Sequence, residues 1–316
     1  MPKKKPTPPR TTTHYGLDVA KATLRLSGPD LPDAELPNTP AGHQALLQSL
    51  PASAHLICEA TGGYERAVVA ALQQAGRLVS VINPRQTRAA AQGAGQRAKS
   101  DAIDAAELAA YGTRFQPAPT PQRSPAQHRL QELVARRGQL VAARTAEKNQ
   151  LEHLTLAQLR AQAERRLRAS ARDLAQLDAW IATALAAEDA LATRAARVQQ
   201  LQGFRTTNAA IVLATVPELG TVGDPQIAHL FGVAPFIRQS GRCDGQRHIA
   251  GGRSAARCAL YMAALTAIVH NPRLKLFYRR LLDAGKAKKV ALVAVMRKIA
   301  LLLNRLLRDP NFQLAD

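Results

Sequence analysis

The stretch that most constrains this chain lies between residues 55 and 84. HLICEA is a short apolar run ending on a carboxylate. TGGYERAVVAALQQAG follows as a turn and an amphipathic helix closed by Gly76, and LVSVINP is a second buried strand stopped by Pro84. Strand, helix and strand in that order form the unit that pairs strands in parallel, so the sheet must be covered by helices. Upstream, HYGLDVAKATLRL (14–26) mixes period-two alternation with β-branched and aromatic residues, which predicts a strand turning into a second one, with Asp18 inside the first. The first hundred residues are therefore expected to be α/β.

Beyond them FQPAPTPQRSP holds four prolines in eleven residues, too many for a helix interior or a central strand. Residues 127–200 are rich in Ala, Leu, Arg, Gln and Glu, with apolar positions three and four apart, and predict long helices paired as a coiled-coil hairpin. Residues 201–316 read as helical, with candidates from Ala255 to His270 and from Lys288 to Arg308. Their polar centre, RQSGRCDGQRHIAGGRS, has too much glycine for a core helix. The expected order is a disordered basic leader (1–13), an α/β domain (14–115), a Pro-rich linker (116–126), the coiled-coil region (127–200) and an all-α C-terminal domain (201–316).

The formal net charge is +20, with 43 Lys and Arg against 23 Asp and Glu among 316 residues. From Phe236 to Asp316 there are 16 basic residues and 4 acidic ones, so +12 of the excess lies in the last quarter. Such a surface attracts polyanions, nucleic acid first. No apolar run approaches the roughly 20 residues that span a bilayer, and MPKKKPTPPR lacks the apolar stretch of a secretory signal. Three cysteines, Cys58, Cys243 and Cys258, without CxxC spacing indicate neither zinc nor a disulfide framework. A reducing cytoplasm, with the protein at the nucleoid, is the expected location. No GxxxxGK[ST] loop implies a need for ATP.

Within this basic chain four acids stand out: Asp18 in the first strand, Glu59 at the end of another, and Asp101 with Asp104 at i and i+3 on one helix face. Hard carboxylate oxygens hold Mg²⁺, and two such ions stabilise the attacking and leaving oxygens of a phosphodiester. Each acid also has an ordinary role open to it: Asp101 as a helix cap, Asp104 as a solvated first-turn acid, Glu59 as a turn residue. Ser240, in RQSGR, stands among basic residues beside Gly241, where a hydroxyl can approach a phosphate, and can equally bond its own backbone. Ser254, in GGRSAAR, is expected to cap the helix beginning at Ala255.

GLDVAK, CEATGGYERAVVAAL, VINPRQTRAAAQ and AKSDAIDAAELAAYG resemble, in order and spacing, the N-terminal domain of the IS110/IS1111-type (DEDD) transposases. LQGFRTTNAAIVLATVPELG and HLFGVAPFIRQSGRCDGQRHIAGGRSAARCALYMAAL resemble that family's C-terminal transposase domain, and AKKVALVAVMRKIALLLNRLLR the end of its IS1111 group. The resemblance implies a RuvC-like, RNase H-fold domain in which Asp18, Glu59, Asp101 and Asp104 bind a pair of Mg²⁺ ions. It implies Ser240 as a nucleophile forming a covalent link to DNA, with Arg238, Arg242, Arg247, Arg253 and Arg257 as nucleic-acid contacts. It further implies a mobile-element recombinase cutting and rejoining donor and target double-stranded DNA under a structured bridge RNA. The expected assembly is a homotetramer, with a dimer as the alternative. Cys243, Asp244 and the GGRS segment depart from the family pattern, which bears on the fine DNA contacts. The competing readings are an invertase or junction nuclease that uses the acids without a covalent serine, and a non-catalytic nucleic-acid-binding protein.

Overall fold

In the computed structural model, residues 13–95, 101–236, 239–240, 243–244 and 248–314 are described, with 101–103, 239–240 and 243–244 as backbone only. The chain divides into two units, Met1–Gln122 and Arg123–Asp316.

The first unit is built on β1 (Thr13–Val19), β2 (Thr23–Gly28) and β3 (Leu31–Pro37), then α1 (Pro40–Ser49), β4 (Ala54–Glu59), α2 (Glu65–Gln74), β5 (Leu78–Ile82), α3 (Pro84–Gly93) and α4 (Asp101–Phe115). The strands form one mixed sheet in the order β3-β2-β1-β4-β5. β1 and β2 make the expected antiparallel hairpin, and β4–α2–β5 the expected parallel crossover. β4 pairs in parallel with β1 as well, which sets both carboxylate-bearing strands side by side.

Strand alternation separates the two faces of this sheet. Tyr15, Leu17, Val19, Leu24, Leu26, Leu56, Cys58 and Val79 form one buried face with Leu46 and Leu50 from α1 and its flank and Val68, Val69 and Leu72 of α2. Ile57 and Ile82, on the other face, pack with Leu108 of α4. α4 lies unusually close to the sheet because glycine stands at both contact points. A Cβ on Gly16 would sit 1.8 Å from the Ala105 carbonyl oxygen, and one on Gly112 would sit 2.6 Å from the Ile57 side chain and 2.8 Å from that of His14.

Below these glycines the same face carries a buried polar group. His55 Nε2 lies 2.8 Å from Ser80 Oγ, whose hydroxyl donates to the Ala118 carbonyl at 2.8 Å. With that proton committed, the serine oxygen accepts from His55, which fixes the neutral Nε2–H tautomer. Burial, and then His14 with its ring centroid 5.1 Å away, push the His55 imidazole down to about 4.

The proline-rich stretch is bonded to the outer edge of the sheet. Thr120 N–H donates to the Val79 carbonyl at 2.8 Å, Val81 N–H donates to Thr120 Oγ1 at 2.9 Å, and Gln73 donates to the Thr120 carbonyl at 2.8 Å. Pro117, Pro119 and Pro121 are compatible with this place because an edge needs only some of its backbone donors.

The second unit is helical. α5 (Pro125–His153) starts at a capping box between Ser124 and Gln127, and α6 (Ala157–Ala186) returns against it. Arg137–Asp178 and Arg166–Glu147 ion pairs cross the two, an antiparallel relation. Leu130 and Val134 of α5 and Ile181, Ala184 and Leu185 of α6 join the core shared with α7 (Asp189–Gln199), α8 (Thr206–Thr215) and α9 (Asp224–Leu230). Four two-residue strands follow: β6 (Pro235–Phe236), β7 (Gln239–Ser240), β8 (Cys243–Asp244) and β9 (His248–Ile249). Helices α10 (Ser254–His270), α11 (Pro272–Asp283) and α12 (Lys288–Arg308) complete the unit. α10 packs through Ala256, Ala259, Ala263, Ala264 and Ala267. The expected start of this helix is corrected by one residue: Ser254 lies inside it, and Arg253 flanks it without any side-chain cap.

α12 is tied in near its C-terminal end by two polar side chains. Asn304, fully buried, donates to the Val222 carbonyl at 3.1 Å and to Asp224 at 2.8 Å while accepting from Gly220 N–H at 2.8 Å. Arg197 of α7 donates to the Leu306, Asp309, Pro310 and Phe312 carbonyls, satisfying a helix C-terminus that has no intrahelical donors left. Among the described residues no helix is long and apolar enough to cross a membrane.

Two outcomes follow for stability. Gly16→Ala puts a methyl group where the Ala105 carbonyl already lies, and should cost about 3 kcal/mol or more in urea unfolding of the full chain. Because the fold favours neutral His55, the unfolded chain takes up the proton first on acidification. Stability contributed by this site is intact above pH 6.5 and is lost as the pH falls from 6.5 to about 4, a loss on the order of 3 kcal/mol that His55→Gln should flatten.

Candidate active site

The register that joins β1 to β4 pairs Gly16 with Ile57 and Leu17 with Cys58; one step further along are Asp18 and Glu59. Both lie two residues beyond Gly16 and Ile57, hence on the face that α4 covers. Both are partly exposed, at the C-terminal ends of adjacent parallel strands. Ala105 of α4 is the residue that meets Gly16, so its neighbour Asp104 enters the same edge from the helix side. Asp101 is the first residue of α4. Its side chain lies outside the described residues.

A fifth acid belongs here. Burial raises the Glu107 carboxyl, and the charges of Asp104 and Glu59 raise it further. Glu107 is three residues beyond Asp104, as Asp104 is three beyond Asp101, so the spacing that singled out the first pair also signalled a third member. Glu59 is held in turn by Thr87 of α3, whose hydroxyl donates to its Oε1.

The loops around this edge are stiffened by side chains that sequence reading did not single out. Glu65 Oε2 accepts from Gly63 N–H at 2.8 Å and from the Thr61 N–H and hydroxyl at 3.1 Å, which sets the turn after Glu59. Asn38 Nδ2 donates to the Ala20 carbonyl at 2.9 Å and the Tyr64 carbonyl at 3.3 Å, and its Oδ1 faces His43 Nε2 at 2.8 Å. The turns following Asp18 and Glu59 are thus tied to one asparagine. Cys58, in the core on the face opposite Glu59, has its thiol pushed up to about 12 by burial and then by Glu65 and Glu59, and is not a nucleophile.

Among the described residues no three of His, Cys, Asp and Glu stand close enough to share one metal ion. Mg²⁺ characteristically takes one or two carboxylates and completes its shell with water and substrate phosphate. The donors at this edge are all carboxylates, two of them at the ends of adjacent strands, and that set fits a hard divalent cation.

Ser240 is placed by a different device. It ends β7 and pairs with Cys243 of β8, while Pro235 and Phe236 of β6 pair with Ile249 and His248 of β9. The described residues of the polar, glycine-rich centre therefore pair in two short antiparallel ladders whose registers differ by one residue. The Ser240 side chain and the residues Arg238, Arg242 and Arg247 lie outside the described residues.

The base of the β6–β9 ladder is clamped. Gly232 and Gly252, both at positive φ, meet backbone to backbone, and a Cβ on Gly252 would fall 2.2 Å from Gly232 N. Arg253 N–H donates to the Leu230 carbonyl at 2.8 Å, and its guanidinium grips Glu218 with two bonds of 2.5 and 2.6 Å. Burial alone would raise the Glu218 carboxyl, but the Arg253 hydrogen bonds and charge outweigh it and hold the group below its usual value. Arg257 donates to the Gly251 carbonyl at 2.5 Å. Arg253 and Arg257, expected as nucleic-acid contacts, are thus both bonded within the protein at this base.

Two family models match the chain. The DEDD-type IS110 model, described as "Transposase", covers residues 15–160, and "Transposase IS116/IS110/IS902 family" covers 195–279. The chain carries both domains of the IS110 transposase family. Two curated relatives are each a "Pilin gene-inverting protein". The one from Moraxella bovis is 26% identical over 300 residues, spanning 91% of this chain and 93% of the relative. The one from Moraxella lacunata is 27% identical over 249 residues, spanning 78% and 77%. This IS110-type chain is a DNA-recombining enzyme, with DNA as its substrate.

Removing one half of the clamp tests its role. Glu218→Gln should cost about 1–2 kcal/mol in urea unfolding, because it leaves a half-buried guanidinium without its counter-charge. Amide exchange at His248 and Ile249 should accelerate with it.

Proposed function

We propose that this transposase cuts and rejoins double-stranded DNA through a divalent-metal site at the β1–β4 edge and a covalent serine intermediate. The observation that carries the reading is the placement of Asp18 and Glu59 at the adjacent C-terminal ends of β1 and β4, on the face covered by the helix that bears Asp104. The sheet order, with three parallel strands and an antiparallel hairpin, supports a RuvC-like, RNase H-type domain. Asp18, Glu59, Asp101 and Asp104 would hold Mg²⁺, in a pair of ions. When bound, the metal withdraws charge from the phosphate oxygens and favours ionised oxygen nucleophiles beside it.

The chain's own residues supply the rest. Ser240 Oγ attacks phosphorus, an O–P bond to serine forms, and the bond to a sugar oxygen breaks, that oxygen leaving with a proton. Rejoining reverses the step with a sugar hydroxyl of another strand. The hydroxyl proton needs an acceptor, and the carboxylates of the acid edge, Glu107 beside Asp104 and Glu59 among them, are the groups of the chain suited to take it. Arg238, Arg242 and Arg247 offset phosphate charge. Apolar side chains left exposed along the α5–α6 hairpin, among them Leu156, Leu159 and Trp180, support its role as a coiled-coil arm between copies of a homotetramer. A structured bridge RNA encoded with the element would select the donor and target, leaving the protein to recognise backbone and shape.

Inversion and transposition share this cut-and-rejoin chemistry, and the names of the relatives favour joining of two sites over simple nicking. Trapping the full chain on DNA decides between covalent and water-mediated chemistry. Ser240→Ala should abolish the protein–DNA adduct and strand transfer, whereas strand transfer at the native rate in that variant rules out the serine link. Asp18→Asn and Asp104→Asn should each lower strand cleavage by at least about 100-fold; unchanged cleavage in both would remove these acids from the chemistry.

A further inference from the structure

We infer that Thr87 is a positioning residue of the metal site: its hydroxyl holds the Glu59 carboxylate in the orientation that receives the divalent cation. The inference rests on the proposed metal site and assigns it a partner outside the four acids.

The local sequence explains how Thr87 gets there. β5 ends at Ile82, which pairs with Glu59 across the parallel ladder, and Ala60 N–H donates to the Ile82 carbonyl at 3.0 Å. The next residue, Asn83, caps α3 by accepting from Arg85 N–H at 2.9 Å, and Pro84 occupies the first helical position, where its missing N–H costs nothing. One turn later comes Thr87, 8% exposed and the one residue of α3 that is buried. The cap therefore sets the register that points Thr87 back at the strand end carrying Glu59.

Its hydroxyl donates to Glu59 Oε1, with the Pro84 carbonyl oxygen 3.0 Å away as a second acceptor. Glu59 has three side-chain torsions and sits half-exposed at a strand end, so it would otherwise sample several rotamers. A hydrogen bond at one carboxylate oxygen restricts the group and leaves Oε2 for a cation. Partners of this kind, acting behind a metal ligand, typically contribute 10- to 100-fold in metal affinity. α3 presents Arg85 and Arg88 to solvent and Thr87 inward, so the helix keeps its charges off Glu59 while lending it a neutral donor.

The test is Mn²⁺ binding to the full-length chain without DNA, followed by electron paramagnetic resonance, in parallel with the metal-concentration dependence of strand cleavage. Thr87→Val, which keeps shape and loses the hydroxyl, should weaken Mn²⁺ binding about 10-fold, and Thr87→Ser should restore it to within about 2-fold. Cleavage by Thr87→Val should recover at high metal concentration. Thermal unfolding of both variants guards against loss of the fold, and Thr87→Ala replaces the valine if it melts early. Native Mn²⁺ binding in Thr87→Val, with binding lost in Glu59→Gln, overturns the inference and leaves the metal site standing. Native binding in Glu59→Gln removes the metal site itself. Equal weakening in Thr87→Ser and Thr87→Val also overturns it, since the serine keeps the donor.

Discussion

The absence of a side chain at Gly16 is the constraint on which the rest of the N-terminal unit depends. It lets α4 settle with its backbone against β1, so that Ala105 and Ala109 touch the strand. A helix normally stands about 10 Å off a sheet, held there by side chains from both. Here the pair is closer, and Asp104 reaches a strand edge it would otherwise overhang. Gly112 repeats the arrangement two turns on and leaves space for His14 and Ile57. The acids are gathered by close packing of backbone; burial there, and then the like charges of Asp104 and Glu59, raise the Glu107 carboxyl.

The two units solve the same problem with different chemistry. The N-terminal sheet buries large aliphatics on one face, and its other face carries a small apolar cluster under α4 between the polar histidines and the acid edge. In the C-terminal unit α10 presents alanine, which permits close helix contact, and specificity comes from single buried polar groups. Asn304 and Arg197 each satisfy several backbone groups at once, and the Glu218–Arg253 pair performs the equivalent task under the β6–β9 ladder. An unpaired buried donor or acceptor at any of these places would cost more than its bond contributes, so each also selects against alternative packings.

How much of this was legible in the sequence varied with the physical signal. The β4–α2–β5 crossover, the β1–β2 hairpin and the span of α12 were legible because hydrophobic periodicity is strong there, with Gly76 and Pro84 marking the ends of α2 and β5. β3 was missed: LPDAELP carries two acids and two prolines, and its pairing to β2 is a tertiary event with little local preference behind it. α1 had a Thr39 cap and a proline at its start, a signal present and unread, and α11 had the same from Asn271 and Pro272. The short β6–β9 and β7–β8 ladders have no strand signature, since each is two residues a side and the first is held at its base by glycine contacts distant in sequence. At the site, the four acids could be named from their positions at element ends, and Glu107 was available from the same spacing. Thr87, Asn38 and Glu65 could not be, because a threonine in a helix or an asparagine in a loop gains its role only once a distant strand end is beside it.

The segment from Pro117 to Thr120 crosses over to β5 only after α4 has been made, so the outer border of the sheet stays open until nearly the whole N-terminal unit has left the ribosome. During that interval Val79 and Val81 offer free backbone groups to any neighbouring strand. Sealing them last, with a stretch whose prolines cannot extend a ladder further, ends strand growth on that side. Synthesis order thus gives the nascent chain a brief window of vulnerability and then closes it with the same prolines that separate the sheet from the helices.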